Sequence, residues 1–374
     1  LLVDKNRSDK LVLQAHFLLP TGPSFADGAN AILTANTSNF AGANQAAIRQ
    51  IFVDRGFLTP QGVAPASLVV SNTNVVGGNN DVATVTLTAP AGLGGQAVAI
   101  TTDQPIPDLP TTVTVPAGQT VKKFSFTPSG VDTTKNFSLH AASNGVTVNR
   151  AISVQPATLT TLTFNPGGVP GGTNTSGVVT LNGAAGPAGV LITLTKGSAV
   201  VGMPANVSVL AGQNRAAFLT TTTPVAATTV VTSSAKQGAN PAINGNLTVS
   251  KAALMSLTLS QTNIVGGNAL VLTARLDGVA PAGGYTVTLS TPTAAANLPA
   301  SITIPAGKVA GAVTFTPRGV DATVSATLTG ALSGVNKTAN LVIDPATMAS
   351  LVISPSVVAG GSPVTVTLKL NGAA

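Results

Sequence analysis

The sequence predicts an all-β fold, a rod of tandem antiparallel β-sandwiches behind a small non-repeating N-terminal α+β segment, and three observations carry that expectation. A short inert phrase is written four times, as VVGGN at 75–79, VPGGT at 169–173, IVGGN at 264–268 and VAGGS at 358–362. Its first glycines stand 94, 95 and 94 residues apart, a period that suits a small sandwich domain and exceeds that of a solenoid repeat. Hydrophobic residues make up 44% of the chain, but aromatics are 3%, charged residues 8%, and all eleven acidic residues are Asp. A chain without Glu and rich in Val, Thr and Ile favours strands over helices. Apolar residues alternate with Ser and Thr through most of it, the period of a half-buried strand.

The first 64 residues do not repeat. LVLQAHFLL at 11–19 and ANAILTA at 29–35 read as strands around a Pro/Gly-containing loop, and NQAAIRQIFVDRG at 44–56 reads as a short amphipathic helix stopped by glycine. Repeats then follow at 65–155, 156–250 and 251–344, with a partial fourth at 345–374. Other landmarks keep step. PAGQ at 116–119 returns as LAGQ at 210–213 and PAGK at 305–308, and FTPSGVD at 126–132 returns as FTPRGVD at 315–321. Within the third repeat, seven alternating segments read as strands, at 254–260, 269–276, 285–290, 301–304, 312–316, 322–330 and 336–343.

The glycine pairs, Gly77 with Gly78, Gly171 with Gly172, Gly266 with Gly267 and Gly360 with Gly361, fall between the first two strands of each repeat. They read as structural turns, where the chain bends from one sheet to the other and glycine reaches φ > 0 without a Cβ clash. None has the strand, loop and helix context of a phosphate cradle. Repeats meet through segments such as SVQPATLTTLTF and VIDPATMASLVI, with proline at the junction and no Gly/Ser linker, which predicts stiff joints.

The stretch LTLSQTNIVGGNALVLTARLDGVAPAGGYTVTLSTPTAAANLPASITIPAGKVAGAVTFTP resembles the bacterial immunoglobulin-like repeats found in tandem in large secreted and surface proteins. The resemblance covers about residues 65–374 and is strongest in the first and third repeats. It implies immunoglobulin-like sandwiches at a bacterial cell surface, without naming a ligand.

Chemistry is sparse. With no Cys there is neither a disulfide nor a thiolate ligand, and the only histidines, His16 and His140, have no metal or catalytic spacing. Asp132 and Asp321 share a repeat position and read as turn caps in preference to calcium ligands. One Tyr and no Trp leave no aromatic platform for sugars. No catalytic residue, metal or cofactor is expected, and the chain reads as no enzyme. The net charge of +7 and pI near 10.0 suit anionic cell-surface polymers as partners. Nucleic acid is not expected, because the 18 Lys and Arg are scattered. Although the mean hydropathy is +0.41, no uncharged stretch has the uniform apolar character of a spanning helix.

The fourth repeat shows two strands, LVIS and VTVTLKL, too few to bury a sandwich core. Either the natural chain continues, or another copy supplies the missing strands in a head-to-tail filament. The expectation is therefore a non-enzymatic extracellular rod, serving as a stalk, fibre or filament subunit joined to itself or to flanking domains. An adhesin presenting a tip, or a spacer in a larger secreted enzyme, is the alternative.

Overall fold

The structure, a computed structural model, describes residues 5–58, 62–92 and 94–373. The outer limits of the first and last expected segments, Leu1 and Ala374, lie outside the described residues. The chain divides into two compact units: Leu1–Val75 with Asn79–Ser129 and Thr134–Gln155, and Val76–Gly78 with Gly130–Thr133 and Pro156–Ala374.

The first unit begins with three helices, α1 (Lys5–His16), α2 (Phe25–Phe40) and α3 (Gln45–Asp54). The helix expected near 44–56 is α3. The two strands expected at 11–19 and 29–35 are helical, and this corrects the α+β expectation for the segment: its described residues hold no strand. The alternation that suggested a strand is real, since Ala29, Ala31, Leu33 and Ala35 are all buried. Helix α2 contacts both α1 and α3, so it buries more than one face and hides its 3.6-residue period. Alanine, the best helix former, fills three of those positions and leucine, another good one, the fourth. A capping box fixes the start of α2: Ser24 Oγ accepts the Asp27 amide at 3.2 Å while the Asp27 carboxylate accepts the Ser24 amide at 2.9 Å.

Behind the helices, the first unit pairs Pro65–Val70, Asp81–Leu87 and Val121–Phe126 into one sheet. The facing sheet orders Asn74–Val76, Val146–Gln155, Lys135–Ser143, Gln96–Thr102 and Thr112–Val115. Strand Asp81–Leu87 alternates strictly between buried and half-buried positions, as one covered face requires.

The second unit repeats this plan. In its most regular sandwich, Leu254–Leu259, Leu270–Leu276 and Ala310–Phe315 form a three-stranded sheet. The facing sheet runs Asn263–Val265, Val335–Asp344, Val324–Leu332, Tyr285–Ser290 and Ser301–Ile304. All the pairs are antiparallel except one, where Asn263–Val265 runs parallel to the last strand with Ile264 opposite Ile343. This is the immunoglobulin-like plan in which the first strand pairs with the second, then switches sheets to pair with the last. Leu272, Val287, Ile304, Leu328, Leu341 and Ile343 fill the space between the sheets, each 0% exposed. The preceding sandwich follows the same order and adds a two-residue strand, Val201–Gly202, beside Arg215–Thr222.

The last described strands, Met348–Ser354 and Thr365–Leu370, form a two-stranded ribbon. Ladder register makes Pro65, Leu159, Leu254 and Met348 equivalent first residues, opposite Leu87, Leu181, Leu276 and Leu370. Leu257 is 5% exposed in its closed sandwich, whereas its counterpart Leu351 is 53% exposed in the ribbon.

Candidate functional site

Each of the first three glycine pairs follows the short strand that switches sheets, an element too brief for its alternation to be legible. The pair occupies the centre of a β-turn. Thr173 N–H donates to Pro170 O at 3.2 Å, Asn268 N–H to Val265 O at 3.2 Å, and Ser362 N–H to Ala359 O at 3.1 Å. The second glycine takes φ of +82° at Gly78, +83° at Gly172, +87° at Gly267 and +88° at Gly361, the region that a type II turn needs at that place.

Turn geometry explains one glycine; packing explains the pair. A Cβ on Gly171 would stand 2.8 Å from the Thr223 carbonyl oxygen, and one on Gly172 would stand 2.5 Å from Val279 Cγ2. Both are closer than real Cβ contacts come. The carbonyl left exposed by this corner accepts a hydrogen bond from a loop of the next repeat. Ala184 N–H donates to Gly77 O at 2.8 Å, Val279 N–H to Gly171 O at 3.1 Å, and Ala373 N–H to Gly266 O at 2.7 Å. All three contacts lie within the second unit, to which Val76–Gly78 belongs.

The incoming loop is NGAA at 182–185, DGVA at 277–280 and NGAA at 371–374. Its Asx residue is clamped to the junction behind it by a reciprocal pair of bonds. Asn182 Oδ1 accepts the Thr158 amide at 2.7 Å and its own amide donates to Thr158 O at 2.9 Å. Asp277 does the same with Ala253, at 2.7 and 3.1 Å, and Asn371 with Thr347, at 2.8 and 3.1 Å. The loop glycine lets the backbones approach: a Cβ on Gly278 would meet Pro170 Cβ at 2.6 Å. The alanine after the donor residue turns inward. Ala185 N–H donates to Gln213 O at 2.8 Å, and Gly212 N–H returns a bond to Ala185 O at 2.9 Å. Thus the recurring AGQ and AGK phrases hold the loop from within its own sandwich.

Asp132, expected to cap a turn, accepts the Ala188 amide at 3.1 Å within the second unit. Sequence reasoning missed the Asx-Gly-Ala/Val-Ala loop, although its 95- and 94-residue spacing was a legible signal.

This joint is built from backbone amides, Asx side chains and small residues. Of the histidines, His140 bonds across its strand pair to Asn149 Oδ1 at 2.7 Å, and His16 ends α1 beside Phe17. Among the described residues no group of three His, Cys, Asp or Glu could hold a metal ion, and no helix is long and apolar enough to cross a membrane. Tyr285, near the DGVA loop, has its hydroxyl pushed above the usual tyrosine range, first by burial and then by the Asp277 carboxylate.

No family model matches the chain, and no curated protein matches it. Solved structures similar to it include Drosophila OTK extracellular domains 3–5, 10% identical with a TM-score of 0.34 over 77% of this chain and 99% of that one. Invasin, a bacterial integrin-binding protein, is 16% identical with a TM-score of 0.32 over 82% and 67%. The Yersinia pseudotuberculosis adhesin InvE is 16% identical with a TM-score of 0.25 over 63% and 74%. Such likenesses are too distant to carry function, and the fold assignment rests on the strand order above. By that order the chain is a tandem series of immunoglobulin-like β-sandwiches.

Proposed function

We propose that the chain is a non-enzymatic extracellular structural protein, a stiff rod of immunoglobulin-like repeats acting as a stalk or fibre element at a bacterial cell surface. Its repeats are taken as 65–155, 156–250, 251–344 and 345–374. The observation that carries the proposal is the threefold recurrence of one backbone bond, from a loop amide to the first carbonyl of a glycine pair. A bond between two backbones, with Cβ atoms excluded on both sides, restricts movement between the two segments that it joins. Sparse charge fits a scaffold.

Small-angle scattering of the purified chain tests this. The expected profile is that of an extended particle with a constant cross-section, on the order of 100 Å long for three sandwiches of ~9-residue strands. A compact profile, or one broadened by free hinges, is the result that sinks the rod.

A second reading is an adhesin whose helical segment is the tip. It is favoured by the exposed apolar side chains Val12, Leu13, Phe17 and Phe25 there, between 62% and 78% exposed. Replacing Phe17 and Phe25 with Ser would abolish host-cell or matrix retention under that reading and leave it unchanged under the scaffold reading.

A further inference from the structure

The four repeats are not interchangeable at their joints. Each carries a glycine corner able to accept a loop, but the loop that is accepted is present in only three of them. Where those three have Asn182-Gly183-Ala184, Asp277-Gly278-Val279 and Asn371-Gly372-Ala373, the first repeat has Thr88-Ala89-Pro90. Three parts of the joint are changed together. Proline replaces the residue whose N–H reaches the glycine carbonyl, and it has no N–H to give. Alanine replaces the glycine on which any Cβ meets the facing corner, as Gly278 meets Pro170. Threonine replaces the Asx carbonyl oxygen that accepts the junction amide, so only the return bond survives, from Thr88 N–H to Ala64 O at 2.9 Å.

The inward half of the same loop is intact. Ala91 is 4% exposed, its amide donates to Gln119 O at 2.8 Å, and Gly118 N–H donates back to Ala91 O at 2.8 Å. Selective loss of the outward half, with the inward half kept, marks a loop that folds normally and docks on nothing of this kind.

At the other end the accepting half is complete. Gly360 and Gly361 form the same turn, Gly361 has the same positive φ, and an added Cβ at either would meet nothing within 4 Å. We infer that the Gly360–Gly361 corner is a docking site for a further immunoglobulin-like repeat bearing an Asx-Gly-Ala/Val-Ala loop, and that it rejects the first repeat of a second copy. The series therefore has a coded direction. This inference rests on the reading of the chain as a jointed array, and it opposes head-to-tail self-joining through this corner.

The test is a titration of the isotope-labelled full chain with cyclised loop peptides, read at the amides of Gly360, Gly361 and Ser362. A peptide of sequence TLNGAAGP, residues 180–187, is expected to give saturable shifts confined to that corner. A peptide of sequence TLTAPAGL, residues 86–93, is expected to give none, and replacing its TAP by NGA is expected to restore them. Equal shifts from both natural sequences, or shifts from neither, overturn the inference. Sedimentation of the unmodified chain supplies the second arm: a monomer is expected, and head-to-tail polymers abolished by Gly361→Val would also overturn it. The array reading fails separately, on a compact scattering profile of the same sample.

Discussion

Val279 donates its amide to the carbonyl oxygen of Gly171 at 3.1 Å, and the neighbouring Gly172 has no room for a Cβ because Val279 Cγ2 would lie 2.5 Å away. One bond and one close contact thus define the same joint. Replacing Gly172 by Ala adds the cost of φ near +83° for a residue with a Cβ, roughly 1–2 kcal/mol, to that overlap. Gly118→Ala is the control, because φ is +75° there but nothing lies within 4 Å. Chemical denaturation should place Gly172→Ala clearly below Gly118→Ala in stability; equal losses would remove the joint from the explanation.

Asp277 has Asn as its counterpart in the other two loops, so its carbonyl oxygen matters more than its charge. Asp277→Asn should leave thermal stability nearly unchanged, while Asp277→Ala should lose about 1 kcal/mol with the bond to the Ala253 amide. A large loss in Asp277→Asn would mean that the charge itself is needed.

The same Asp277→Asn change has a spectroscopic consequence. The Asp277 carboxylate raises the Tyr285 pKa, as the second cause after burial. Removing the negative charge should therefore lower the pH at which the phenol ionises without returning it fully to the ordinary value. With one Tyr and no Trp in the chain, the ultraviolet titration reports on this group alone.

Leu257 and Leu351 share a repeat position but are 5% and 53% exposed. Leu257→Ala should cost about 2–5 kcal/mol through lost burial and a cavity, and Leu351→Ala should cost little. Comparable losses in calorimetry would show that the ribbon is covered in solution.

In α2, the Ser24 hydroxyl and amide both donate to Asp27 and hold its carboxyl below the usual range. A pKa lower in the folded state contributes stability above the unfolded value of 3.8, and that contribution is lost as pH falls through the lower folded value. Ser24→Ala should move the Asp27 midpoint upward in a carboxyl-detected magnetic resonance titration.

Much of the fold was legible because sandwich strands bury one face. The segments expected at 254–260 and 285–290 are the strands Leu254–Leu259 and Tyr285–Ser290, since Leu257, Val287 and Leu289 mark the buried side without reference to any partner. Asn263–Val265 was not legible, because three residues show no period and the strand that pairs with them lies far along the chain. Helices α1 and α2 were missed because Ala and Leu serve both periods equally, and the helix–helix contacts that choose between them are long-range.

The glycine pairs show the same division. Their spacing is written in the sequence and the positive φ of each second glycine is a local property of the backbone, so the amino-acid sequence by itself determined that one phrase recurs at a sandwich-sized period and that the chain is a series of sandwiches. What each corner touches depends on a loop about a hundred residues further on, as with Gly171 and Val279. Only tertiary structure decided that, because a backbone carbonyl carries no sequence signature of its own and a hydrogen bond forms wherever packing brings a donor amide within about 3 Å.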